Sequence, residues 1–181
     1  MAKLFFNQRK NYFFKLRPAF RWLIKLRGST RAIAGGFALG TFIAFTPTVG
    51  IQMFLGAVFA TLFNLNRPAA IIPAWITNPV TIPPIFAFNY WIGYLLLGGP
   101  SVTSVYNQLI EICKKLATLN MFQISEQFMA FVYLGKEIVV PLIIGSVVVG
   151  AVCAVIAYWL ALRILFYLNR KRRAKAILSP R

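Results

Sequence analysis

Two uncharged apolar runs of this chain, 32–66 and 68–110, are each long enough to enter a membrane, and each is interrupted by proline where a helix would otherwise continue. The interruptions are Thr46-Pro47-Thr48-Val49-Gly50 and Thr77-Asn78-Pro79-Val80-Thr81. Proline lacks the amide donor and clashes with the preceding turn, so each motif leaves backbone groups without helical partners. Within a bilayer such groups survive only when buried in protein or lining a polar cavity. A continuous helix is therefore excluded at both places, and the two motifs are the first candidates for function.

A third uncharged run covers 138–162. Each of the three exceeds the roughly 20 residues that cross a hydrocarbon core of about 30 Å. Of the 181 residues 59% are hydrophobic and 13% charged, against about 25% charged in an ordinary soluble domain, and mean hydropathy is +0.70. This composition predicts an integral membrane protein. The net charge of +17 would suit a nucleic-acid ligand, but the basic residues crowd into 3–31 and 163–181, flanking the apolar runs as the positive-inside rule requires. Their placement argues against nucleic acid. The first 27 residues mix Lys, Arg and aromatics with no signal-peptide h-region, which predicts a cytosolic N-terminus.

Missing residue types narrow the chemistry. The chain has no His and no Asp, and its acids are Glu111, Glu126 and Glu137. Catalytic triads, His-containing zinc sites and carboxylate pairs in the apolar core have no residues to build them, so the sequence predicts neither an enzyme nor a metal or cofactor site. Cys113 and Cys153 make no disulfide framework.

The expected fold is an all-α polytopic membrane protein. Segment 1–29 reads as a basic, amphipathic interfacial region in which Arg17, Arg21, Lys25 and Arg27, with Arg31 just beyond, face anionic headgroups or fix topology. The membrane domain, 30–168, opens with a helical hairpin at 30–66. Its arms carry small residues four apart, Ala32, Gly36, Gly40 and Ala44, then Gly56 and Ala60, which predicts arm-to-arm packing. Arms of about 15 and 13 residues reach only about 20–22 Å, which favours a re-entrant hairpin over two short spans. Segment 68–97 is a broken crossing of two half-helices, with Pro83 and Pro84 starting the second. An extracytoplasmic connector follows at 98–137, with an amphipathic helix over about 102–119. The helix at 138–168, with its stripe of Ser146, Gly150 and Ala154, crosses once more, and 169–181 is a basic cytosolic tail.

The stretch Gly36-Phe-Ala-Leu-Gly-Thr-Phe-Ile-Ala-Phe-Thr-Pro-Thr-Val-Gly-Ile-Gln52, with Asn66-Arg-Pro68 and Trp75-Ile-Thr-Asn-Pro-Val-Thr-Ile-Pro-Pro84, resembles the bacterial membrane family named for domain of unknown function 2062. The resemblance covers about 18–168 and implies a small bacterial inner-membrane protein. It implies no activity.

The residues themselves offer two readings. In one, Thr46, Pro47, Thr48, Gly50, Gln52, Thr77, Asn78, Pro79 and Thr81 line a polar gap between half-helices, and Arg31 and Arg67 neutralise a phosphate at its cytosolic mouth. The partner is then a membrane lipid, anionic or lipid-linked, bound or translocated. In the other, the chain is an assembly or interaction subunit, alone as a homo-oligomer or within a larger membrane complex, and the polar residues only cap broken helices. A channel would need several copies to enclose a pore.

Overall fold

The computed structural model describes residues 28–78, 80–118 and 135–178, with side chains given except at 115–118 and 171–178. The interfacial segment carrying Arg17, Arg21, Lys25 and Arg27 lies outside these residues, as does Pro79. Six α-helices follow in order among the described residues: α1 (Thr30–Phe45), α2 (Gln52–Leu62), α3 (Arg67–Ile71), α4 (Ile82–Leu97), α5 (Val102–Thr118) and α6 (Lys136–Leu178), with a 3₁₀ turn at Ile72–Ile76 after α3. No strand occurs among them. Within α6, Lys136–Arg170 is long and apolar enough to cross a membrane, while α1, α2 and α4 are shorter apolar helices.

Local chemistry explains the starts and stops. Ser29 caps α1 by accepting from the Ala32 amide at 3.1 Å, and Asn66 caps α3 by accepting from the Ala69 amide at 2.9 Å. Pro68 occupies the first turn of α3, and Pro83 and Pro84 the first turn of α4, where amides lack helical acceptors anyway. Pro73 cannot donate back along the chain, and the backbone there tightens from α3 into the 3₁₀ turn.

The longest helix organises the rest. At one end of α1, Asn169 of α6 donates to the Thr30 hydroxyl at 3.2 Å; near the other, the Gly150 position faces Phe42 and Phe45. Helix α1 thus runs antiparallel to the C-terminal part of α6. Helix α4 takes over along the N-terminal part: Asn89 meets Ser146, Gly93 meets Pro141, and Gly99 meets Glu137. The two short helices follow each other along one face of α6, and both proline breaks lie where one gives way to the next.

Arm-to-arm packing through the small-residue stripes is corrected. Gly36 faces the carbonyl of Asn66 and the methyl of Ala69, Gly40 faces the Ala70 carbonyl, and Gly56 of α2 faces that same carbonyl. Both stripes therefore close on α3, which is wedged between the arms. Its Ala69 and Ala70 are fully buried, and Asn66 donates its amide to the Ala32 carbonyl at 3.0 Å. A helix whose first residues cap against α1 and whose next two are alanines can approach backbone to backbone, and the glycines supply the room.

Helix α5 has a buried apolar stripe, Val105, Leu109 and Cys113, packed with Ile82, Phe86 and Tyr90 of α4 and Ile138 and Leu142 of α6. Its Thr103, Ser104, Asn107, Glu111 and Lys114 are exposed. Tyr90 fastens the α4–α5 link by donating its hydroxyl to the Pro100 carbonyl at 2.7 Å. Helix α6 does not stop at 168; it runs on through the basic residues to Leu178.

Candidate functional site

At the first break, Pro47 ends α1 and Thr46 absorbs the loss. Its amide and its hydroxyl both donate to the Ile43 carbonyl, at 3.0 and 2.7 Å. The hydroxyls of Thr46 and Thr48 lie 3.1 Å apart. Gly50 sits at φ +88°, a left-handed value that glycine takes without strain, and the Ile51 amide closes the turn on the Thr48 carbonyl at 3.2 Å. The chain is then aimed so that Gln52, the first residue of α2, points inward and is buried.

The second break is a self-contained Asx turn. Asn78 Oδ1 accepts from the amides of Val80 and Thr81 at 3.0 and 3.1 Å. Thr81 Oγ1 donates to the Ile76 carbonyl at 2.6 Å and accepts from the Asn78 amide at 2.9 Å. Asn78 itself is exposed, whereas Thr77 is buried.

The two breaks touch through Gln52. Its Nε2 donates to the carbonyls of Ala74 at 2.8 Å and Thr77 at 3.3 Å, and its Oε1 accepts from the Thr77 hydroxyl at 3.1 Å. One amide thus satisfies two carbonyls left over by the 3₁₀ turn. The structure brings Gln52, just past the first motif, to Thr77 of the second; Thr46 and Thr48 bond within their own break, and Asn78 and Thr81 within theirs. Most of their polar atoms are engaged in holding the breaks in shape.

A third polar tie was not singled out by sequence reasoning. Asn89 of α4 donates Nδ2 to the Phe45 carbonyl, the end of α1, at 2.9 Å and to the Ser146 hydroxyl of α6 at 3.0 Å. Both side chains are fully buried. The available signal was an amide side chain alone amid aromatics in an uncharged run, a rare and costly residue at such a place. Ser146 entered the sequence reading only as a small residue of the α6 stripe.

Arg67 is not at the breaks. Arg31 and Arg67 begin α1 and α3 and are exposed, and the Asn66–Ala32 hydrogen bond makes their backbones neighbours. The exposed Arg170 follows Asn169, which binds Thr30, so it joins the same end. That end lies about 16 Å from the breaks, the length of the 11-residue α2. Of the two carboxylates among the described residues, Glu137 stands at the opposite end of α6 and Glu111 on α5. Cationic charge at this rim therefore has no acidic neighbour from its own helices. Among the described residues no three Cys or Glu gather as metal ligands.

A family model described as an uncharacterized protein conserved in bacteria, DUF2062, matches residues 15–175. The chain belongs to the DUF2062 family. No curated protein and no solved structure matches it. In this DUF2062 member the matched region takes in both breaks, the Asn89 tie and the Arg31–Arg67 rim.

Proposed function

We propose that this DUF2062 protein is a polytopic protein of the bacterial inner membrane that binds the phosphate of a lipid or lipid-linked headgroup at its arginine rim and lets it move along the seam of broken helices. In this reading α1 and α2 form a re-entrant hairpin that enters and leaves on the cytosolic side, α3 through α4 make one broken crossing, and α6 makes the other. The basic segments at 1–29 and 169–181 face the cytosol.

One observation carries the reading: Arg31 and Arg67, distant in sequence, start neighbouring helices at the open end of the hairpin with no carboxylate of the described residues beside them. Guanidinium groups pair with phosphate oxygens through two parallel hydrogen bonds, and each basic residue near an anionic surface adds about 1 kcal/mol of attraction. Large exposed side chains on the flanks, Phe54, Leu62, Trp159 and Phe166 among them, suit acyl chains.

Passage beyond the rim needs the Gln52–Thr77 bonds to open, because they join the hairpin tip to the crossing. Fluorescent anionic lipid reconstituted with a Gln52→Cys/Thr77→Cys variant tests this. Oxidation should stop lipid exchange between leaflets and reduction should restore it; exchange that is unaffected by the cross-link sinks the translocation step. The Gly36, Gly40 and Gly56 positions are covered by α3, and Gly150 by α1, within the chain, which favours this reading over an assembly subunit that docks a partner there.

A further inference from the structure

The Asn89 tie is incomplete in a way that points to a ligand. Both hydrogens of its amide are committed, one to the Phe45 carbonyl and one to the Ser146 hydroxyl. The orientation is forced, since a carbonyl can only accept and so must face Nδ2. That leaves Asn89 Oδ1, which has no hydrogen-bond partner among the described residues although the side chain is 0% exposed. A buried acceptor with no donor is unfavourable, and in native interiors nearly all such atoms have a partner.

Its surroundings are backbone-rich and polar. The Phe45 carbonyl is one that the proline break has released from helical pairing. The Gly145 position is pressed against the Asn89 carbonyl, and Gly93 against Pro141, so α4 and α6 meet here without intervening side chains. Ser146 stands eight residues into the uncharged 138–162 run, about 12 Å along it. This is the depth at which a transporter's broken helices place a polar site.

We infer that the first break carries a binding site for a small hydrogen-bond donor, an O–H or N–H group, received by Asn89 Oδ1. The donor comes either from water or from a lipid headgroup bearing a hydroxyl or a primary ammonium. A phosphodiester anion cannot fill this place, because it offers only acceptors to an acceptor. The site is thus chemically distinct from the arginine rim and does not depend on it.

Proton-detected solid-state NMR of the full chain, with labelled Asn and Ser in lipid vesicles, tests the inference without any substitution. The Asn89 side chain is identified by its correlation to Ser146. In phosphatidylcholine vesicles, whose quaternary ammonium cannot donate, magnetisation transfer from water to the Asn89 side-chain carbonyl carbon supports the site with water as occupant. Transfer that appears only in phosphatidylethanolamine vesicles, from the headgroup ammonium, supports it with lipid as occupant. An intact Asn89–Ser146 correlation with no transfer from water or headgroup in either membrane overturns it.

Discussion

Gln52 and Thr77 hydrogen-bond in both directions across 25 residues of sequence: the glutamine Nε2 donates to the threonine carbonyl at 3.3 Å, and the threonine hydroxyl donates to the glutamine Oε1 at 3.1 Å. Gln52 lies two residues past the first proline motif, and Thr77 opens the second. The pair therefore joins the tip of the α1–α2 hairpin to the turn before α4. Thr77→Val should cost about 1 kcal/mol and Gln52→Leu about 1–3 kcal/mol, because the latter removes the donor to the Ala74 and Thr77 carbonyls and leaves Ala74 only the longer bond from the Thr77 hydroxyl at 3.3 Å. A double-mutant cycle in detergent unfolding should return a coupling of about 0.5–1.5 kcal/mol. Strictly additive effects would mean that the bonds do not form.

The start of α4 and the two breaks were legible because their signals are local. Pro83 and Pro84 sit in a first turn, and Pro47 and Pro79 forbid continuation whatever surrounds them. The Asn66 cap that starts α3 was not read from the sequence. The meeting of the two motifs was legible as a possibility of depth, through the lengths of the arms. The identity of the partners was not. Gly36, Gly40 and Gly56 announce close approach without saying to what, and α3 is too short to show any periodicity that would mark it as the wedge. Asn89 was missed for a related reason: its acceptor, Phe45, is a backbone carbonyl 44 residues away, which no side-chain pattern encodes.

The α4–α6 crossing is set by backbone contact. A methyl at Gly145 would collide with the Asn89 carbonyl, and no side chain can rotate to relieve it. At Gly150 the nearest atoms, the ring Cδ2 and the carbonyl oxygen of Phe42, are 3.3 Å away, so a methyl there asks for a shift of only a few tenths of an ångström. Gly145→Ala should destabilise by at least 1–3 kcal/mol, about the cost of overpacking a tight core. Gly150→Ala should be close to neutral, since the gain in helix propensity of about 1 kcal/mol offsets the tighter fit. Thermal unfolding followed by circular dichroism separates the two, and similar losses for both would contradict the crossing.

Cys113 is buried on the inward face of α5, and desolvation pushes its thiol from 9.0 up to about 11. The thiolate is the reactive form, so maleimide should label Cys113 much more slowly near pH 7.5 than a cysteine placed at the exposed Asn107. The gap should narrow as pH approaches 11. The sign for stability follows from the raised value. The folded state holds its proton longer than the unfolded chain does, so this contribution is complete below about pH 9 and is lost as pH rises toward 11. Equal labelling rates at neutral pH would show that α5 is not docked. The Asn107→Cys variant also reports sidedness: an impermeant reagent added to intact cells should reach it, and protection would reverse the orientation given to α5.

The central claim is that Arg31 and Arg67 act together on a lipid phosphate. Native mass spectrometry of protein extracted with its lipids, followed by titration with phosphatidylglycerol, measures this directly. Wild type should retain anionic lipid, and Arg31→Ala/Arg67→Ala should bind it at least about tenfold more weakly, the loss of about 1.4 kcal/mol or more, while Arg163→Ala, farther along α6, changes little. Equal phosphatidylglycerol affinity in the wild type and the double variant would contradict the account.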